Sequence, residues 1–393
     1  MKRFTLIIDG HNFFFRSLWS AFRQGHKNKI LTSQKDVDTF EKKLMLDFCS
    51  VVKMMNPIVN DIVFVKDSHS WRKDLLLQQE YKGNRKKLND NIDRDGFTTV
   101  IDNFTQTLNL LGVKISQVDR SEGDDLVSAW SESLFQDGKS SIILSTDKDL
   151  TQLVKCVNDV HIIQYTPIHN KLYVSKESNE IIKGLCNRTI SHENLFEEIF
   201  TISIENDPFE KFFDGVDIEE VNPEYVRFCK IIGGDTSDNI YPVYYKRIPG
   251  KRSKGLGEKT VNKVYEKFKQ LLDCDFDYHI YSNEDILNIL SNIIYDMAKI
   301  KDDDFTKAML IDNIKTNTIL VSLTSESIPE DVQIGMISSI NEEKQKKQVV
   351  VSKITKDNIF AKSRFKDYKS SIKIKSNIIK DIKDDGDMSF IKD

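Results

Sequence analysis

Nine acidic residues stand where an enzyme built on a sheet could use them together. Asp9, Asp67, Asp147 and Asp149 each follow a short apolar run. Glu122, Asp124 and Asp125 sit in Ser-Glu-Gly-Asp-Asp (121–125), and Asp235 and Asp238 in Gly-Gly-Asp-Thr-Ser-Asp-Asn (233–239). Carboxylates gathered in this number cannot all stay ionised without cations. Hard oxygen ligands call for Mg2+ or Mn2+, and Mg2+ keeps waters and needs only one or two direct carboxylates. Two such ions about 4 Å apart can acidify a water and clamp both oxygens of an in-line phosphoryl displacement. Taken singly, each motif has an ordinary explanation. Asp after a strand is a frequent turn or N-cap residue, and acids opening a helix complement its dipole. The ordered set, always at strand ends or helix starts, favours phosphodiester hydrolysis. The spacing of an EF-hand calcium loop is absent.

The elements that must position these acids are legible. Phe4–Ile8, Asp61–Val65 and Ser140–Leu144 are uninterrupted apolar runs of the kind buried on both faces of a parallel sheet. Helical stretches at Asp38–Met55, Phe97–Leu111 and Asp124–Phe135 alternate with them, predicting a doubly wound α/β domain. In such a sheet ligands lie at the carboxyl ends of strands near a switch point. Asp159–Tyr165 and Lys171–Val174 are expected as later strands. Pro223 opens a helix (Glu224–Ile232) that Gly233-Gly234 stops. A glycine turn and amphipathic helix follow over 255–272, and one or two helices over Asn283–Ile314.

The chain has 393 residues, more than one core comfortably serves. With 39% hydrophobic and 10% aromatic residues it is expected to fold. No apolar run approaches the roughly 20 residues of a membrane span. The apolar stretch at the N-terminus is too short for a signal peptide and runs into Asp9. Five scattered cysteines give no zinc or disulfide framework, which fits a reducing cytoplasm. The net charge of −4 hides local basic blocks. Lys246–Lys263 carries seven Lys/Arg against one acid, and Lys353–Lys383 ten against three. Such blocks suit a polyanionic partner, although for the second a solvated face explains it equally well.

The blocks Leu6-Ile-Ile-Asp-Gly-His-Asn, Phe64-Val-Lys-Asp67, Trp71-Arg72 with Tyr81-Lys82-Gly-Asn-Arg85, Ser121-Glu-Gly-Asp-Asp-Leu, Leu144-Ser-Thr-Asp-Lys-Asp-Leu and Gly234-Asp-Thr-Ser-Asp-Asn-Ile resemble, in order, the 5′-nucleases related to flap endonucleases. Within that family the chain is most similar to the phage ribonuclease H type. The resemblance covers roughly residues 1–275 and implies a parallel-sheet, PIN-like nuclease domain with a helical arch, followed by a helix–three-turn–helix DNA-binding domain. It implies that Asp9, Asp67, Glu122 and Asp124 hold the more directly catalytic of two Mg2+ (or Mn2+) ions. Asp147, Asp149, Asp235 and Asp238, helped by Asp125, would hold the other.

The resemblance also makes 68–96 the start of an arch that passes a single-stranded 5′ end. Lys82 and Arg85 would meet the scissile phosphate, Arg72 would bind phosphate nearby, and Tyr81 would stack on a base. Lys254, Gly255, Gly257, Lys259 and Thr260 would contact duplex phosphate, with a monovalent cation at that turn. The string lacks the spacing of a P-loop. Tyr241–Ser253 interrupts the path from Asp-Asn-Ile to the glycine turn, which favours the phage type.

The expected domains are 1–175 (nuclease, arch about 68–111), 176–222 (an insertion of unknown role), 223–340 (helical, DNA-binding, bearing Asp235 and Asp238) and 341–393 (a basic, partly disordered tail). The implied function is 5′→3′ exonuclease and flap endonuclease action on 5′-ended or branched DNA and RNA–DNA, removing RNA primers in phage lagging-strand replication. Alternatives are a junction-resolving or PIN-like ribonuclease and a catalytically idle DNA-binding subunit. A monomer in the cytoplasm, that of the host if phage-encoded, is expected. It would engage no membrane, and a single-strand-binding protein or sliding clamp are candidate partners.

Overall fold

In the computed structural model the described residues are 4–22, 29–75, 81–83, 91–186, 212–213, 215–246, 254–272, 278–300 and 305–365. Strand β1 (Phe4–Asp9) passes directly into helix α1 (Gly10–Phe22). Then come α2 (Gln34–Met55), β2 (Val59–Val65), α3 (Arg94–Leu110), β3 (Lys114–Ser116), α4 (Gly123–Gln136) and β4 (Ser141–Leu144). A 3-10 turn at Lys148–Leu153 leads to β5 (Lys155–Val157), β6 (Val160–Thr166), β7 (Lys171–Val174), α5 (Lys176–Cys186) and β8 (Asp217–Glu220). These eight strands form one sheet in the order β3-β2-β1-β4-β6-β7-β8, with β5 paired to β6. Pairings from β3 to β6 along this path are parallel, and β7 joins antiparallel. The chain thus winds outward from β1 on one side and resumes on the other at β4. The gap between these two carboxyl ends is the topological switch point, where such sheets bind ligands.

Alternation along β1 explains the layers. Leu6 and Ile8 point into a core with Phe13, Phe48 and Phe104 from α1–α3, while Ile7 joins Trp130 and Leu134 of α4 on the opposite face. All three strand residues are fully buried, each worth about 1.5–3 kcal/mol. Caps set the starts of α2 and α3: Ser33 Oγ accepts from Asp36 N, and Asp93 Oδ1 from Gly96 N.

The second unit comprises α6 (Pro223–Gly233), a small hairpin of β9 (Tyr245–Lys246) and β10 (Lys254–Gly255), α7 (Glu258–Leu271), α8 (Glu284–Met297) and α9 (Lys307–Val321). Phe228, Val264, Phe268, Leu290 and Ile314 form its core, which includes Tyr81.

Three expectations about domains change. The unit stops near Val321 rather than 340, because Val332, Met336 and Ile340 of α10 (Glu330–Gln345) pack with Trp130 against the sheet. The span 341–365 is not a tail. Val349, Val351, Ile354 and Ile359 of α11 (Lys356–Lys362) and its approach join the core of α2 and α3, and Arg364 Nε reaches the buried Glu41 at 2.7 Å. Within 176–222, β8 adds a parallel strand to β7, so the described part of the insertion extends the sheet. Residues 366–393 lie outside the described residues.

Candidate active site

Asp9 ends β1 beside Val65 of β2, placing three acid-bearing turns at one sheet edge. Its Oδ2 accepts from Ser145 Oγ at 2.7 Å and its Oδ1 from Asn12 N at 3.1 Å. Asn12 also clamps the β4 turn, donating to Thr146 Oγ1 and accepting from Thr146 N. Asp67 Oδ1 accepts from Gly123 N at 2.9 Å. The glycine in Glu-Gly-Asp is explained by that approach, since a Cβ at 123 would lie 2.9 Å from Asp67 Oδ2. Asp147 caps the 3-10 turn by accepting from Asp149 N, and Gln164 holds its carbonyl. Asp235 and Asp238 arrive from the helical unit through a loop closed by two backbone bonds between Asp235 and Ile240. Gly234 makes that loop possible: its φ is +73°, and a Cβ there would stand 2.5 Å from Ile240 O. One pocket is lined by Glu122, Asp124, Asp149, Asp235 and Asp238.

The acids divide by their electrostatics. Burial, then the neighbouring Asp67, pushes Asp9 up to about 7 despite its two hydrogen bonds. Burial and Asp147 push Asp149 up to about 7, against the pull of Lys230. Asp124 is held well above the usual carboxylate range by burial and by Asp147 and Asp9. The other acids have cations. Burial opposes ionisation of Glu122, but Lys82 Nζ at 2.5 Å and Arg72 Nη1 at 3.1 Å outweigh it and bring the group to about 2. Burial is likewise overcome at Asp235, where Lys230 at 2.5 Å and Ser237 bring it to about 2. Lys230 also bonds Asp149, so one ammonium joins the two turns.

Several expected site residues are placed differently from their anticipated roles. Asp125 is fully buried and turns inward, accepting from Trp71 Nε1 at 3.1 Å and Arg72 Nη1 at 2.9 Å. Arg72 is 1% exposed and spans Asp125, Glu122 and the Ser322 carbonyl. It therefore ties the sheet edge to the end of α9 and presents no open face to phosphate. Tyr81 is also buried, its hydroxyl donating to Glu122 Oε2 at 3.0 Å, so its ring is not free to stack on a base. Lys82 adopts a left-handed backbone (φ 55°), its N–H on Asp238 O, and thereby aims its ammonium at Glu122. That strain is of the kind concentrated at functional sites. Arg85 lies outside the described residues. At the glycine turn, Gly257 begins α7, and Gly257 and Lys259 are exposed while Thr260 is half-buried.

Sequence reasoning missed Lys230, Asn12, Ser145 and Gln164. Lys230 had a signal: it occupies the last turn of a helix whose glycine stop leads straight into Asp235. His11 was also passed over, with Nδ1 3.7 Å from Asp67.

The donor set fits divalent cations. Asp67 Oδ2 is a buried carboxylate oxygen with no hydrogen-bond partner, and Asp9, Asp124 and Asp149 are each pushed up by neighbouring carboxylates. Among the described residues no three His, Cys, Asp or Glu side chains already close into a metal cage.

Residues 4–183 match the 5′-3′ exonuclease N-terminal resolvase-like domain. Over this span the chain is similar to 5′-3′ exonucleases. The chain is 26% identical over 269 residues to a 5′-3′ exonuclease of Mycoplasmopsis pulmonis, covering 68% of this chain and 67% of the relative. It is 27% identical over 150 residues to the flap endonuclease Xni of Shewanella denitrificans, covering 38% of this chain and 52% of the relative. Such relatives put it in the class of nuclease hydrolases. A solved structure of T5 5′-exonuclease with bound divalent metal ions (zinc) superposes with a TM-score of 0.52 at 16% identity, covering 88% of this chain and 99% of that one. That likeness concerns the fold, a mostly parallel sheet with helices.

Proposed function

We propose that the protein is a metal-dependent 5′→3′ exonuclease and flap endonuclease that removes RNA primers and adjoining DNA during phage lagging-strand replication. The observation that carries this reading is the meeting, at the switch point, of acids raised by burial and by neighbouring carboxylates (Asp9, Asp124, Asp149) with cation-compensated acids (Glu122, Asp235). Asp9, Asp67, Glu122 and Asp124 would hold one Mg2+ or Mn2+, and Asp147, Asp149, Asp235 and Asp238 a second. Bound metal would supply an acidified water and neutralise phosphate charge. Ser145 and Asn12 orient Asp9 for this task. Lys82, already fixed on Glu122, is poised to offset charge developing on the phosphate. In this reading Arg72, Asp125 and Tyr81 act as positioning residues behind Glu122. Lys254, Lys259, Thr260 and the glycines at 255 and 257 would receive duplex phosphate at the start of α7, with a monovalent cation at the same turn.

The test uses labelled 5′ flap, RNA-primed duplex and four-way junction substrates. Mg2+-dependent cutting of the flap and the RNA-primed duplex, abolished by chelator, is expected. Failure of pure protein to cut any of them with Mg2+ or Mn2+ would refute the assignment, and preference for the junction would favour the resolving activity.

A further inference from the structure

We infer that Tyr241 and Tyr245 form a stacking platform for an unpaired nucleobase where a single strand meets the duplex. The inference rests on the nucleic-acid reading above and adds a subsite to it. The two rings lie nearly parallel, 4.5 Å apart and 12° from coplanar. The neighbouring pairs Tyr225–Tyr265 and Tyr244–Phe305 instead meet edge to face at 71° and 76°.

Tyr241 is 44% exposed, although the backbone carrying it is firmly held. Val243 and Tyr244 are buried in the helical core, Val243 N donates to Ile232 O, and Asn313 and Asn317 donate to the carbonyls of Val243 and Tyr241. An exposed aromatic ring, Tyr241, thus rests on the half-buried Tyr245 at the surface of a rigid segment, where burial would otherwise favour covering it. Their place is informative. Tyr241 directly follows the loop bearing Asp235 and Asp238, and Gly255 of the duplex-facing turn lies beside Tyr245, where an added Cβ would stand 3.6 Å from Cδ2. The platform therefore lies between the acids and that turn. The strand that carries Tyr245 pairs antiparallel with Lys254–Gly255, with Tyr245 opposite Gly255. Aromatic faces hold bases without sequence preference.

The test measures Kd for a 5′-flap duplex and for a blunt duplex, with Ca2+ replacing Mg2+ to prevent cutting. 2-Aminopurine is placed in turn at unpaired positions beside the junction. Tyr241→Ala should raise the flap Kd about tenfold, leave the blunt-duplex Kd within twofold, and abolish quenching at one position. Tyr241→Phe should restore both readouts, and Tyr245→Ala should cause a smaller loss. If the alanine variant disturbs the adjacent loop, seen as altered Mn2+ binding by calorimetry, the comparison of Tyr241→Phe with Tyr241→Leu decides. Unchanged flap binding, or quenching insensitive to Tyr241 at every position, overturns the platform alone while wild-type cleavage stands. A wild-type protein that binds neither substrate removes the parent reading as well.

Discussion

The two halves of the acidic pocket contain the same functional group in opposite states. On the sheet, burial and neighbouring carboxylates (Asp67 and Asp147 among them) drive Asp9, Asp124 and Asp149 toward protonation. A few residues away, Glu122 and Asp235 are also buried, but Lys82, Arg72 and Lys230 overcome that burial and hold them ionised. The first half has a deficit of positive charge that an external ion can fill. The second is a finished structural network. Charge at the first half should therefore serve activity at the expense of stability, and charge at the second should serve both.

Asp124→Asn gives the largest expected effect. Cleavage should fall on the order of 10³-fold, while the metal-free protein gains about 1 kcal/mol from relieved repulsion. Parallel kinetics and chelated thermal melts check this, and a melt that moves downward would break the contrast. Arg72→Met should do the reverse to stability. Leaving Asp125 and Glu122 buried without their cation costs about 3–5 kcal/mol, read by urea unfolding. A loss below about 1 kcal/mol would mean that the network is not the support described.

The pH dependence comes next. The folded-state values near 7 for Asp9 and Asp149 exceed the ordinary unfolded value, about 3.9. Between these limits the folded protein binds more protons than the unfolded chain, so this contribution stabilises the metal-free protein as pH falls from above 7 toward 4. Metal needs the same groups deprotonated and should bind more tightly as pH rises. The melting gain from Mg2+ should thus be larger at pH 8 than at pH 5.5, and equal gains would count against the assignment. Lys230→Met is expected to have the smallest effect. Removing the ammonium shared by Asp149 and Asp235 should tighten Mn2+ binding about tenfold, measured by calorimetry. Weaker binding would show that Lys230 supports the ion instead of competing with it.

Much of this was legible in the sequence because strand ends carry the chemistry. The runs at 4–8, 61–65 and 140–144 became β1, β2 and β4 almost unshifted, and Pro223 and Gly234 bounded α6. What escaped depends on long-range packing. Nothing local distinguishes Asp125 from Asp124. Only the position of Arg72 and Trp71, more than fifty residues away, turns one carboxylate inward. Helix α1 was missed because its aromatic-rich sequence follows a strand without a turn. The buried residues at 349–365 are sparse among lysines, so composition alone reads as a solvated tail.

That last segment has a consequence for the order of events during synthesis. Phe40, Phe48 and Val52 of α2 share their core with Val351, Ile354 and Ile359, some three hundred residues downstream. The nuclease half cannot complete its own interior when it leaves the ribosome. It must keep that helical face uncovered until the helices of the second unit have been made and the chain has returned across them. Contacts of such sequence separation slow folding. The same return path means that a chain interrupted after α10 would lack the cover of its first domain, linking the assembly of the catalytic sheet to translation of nearly everything that follows it.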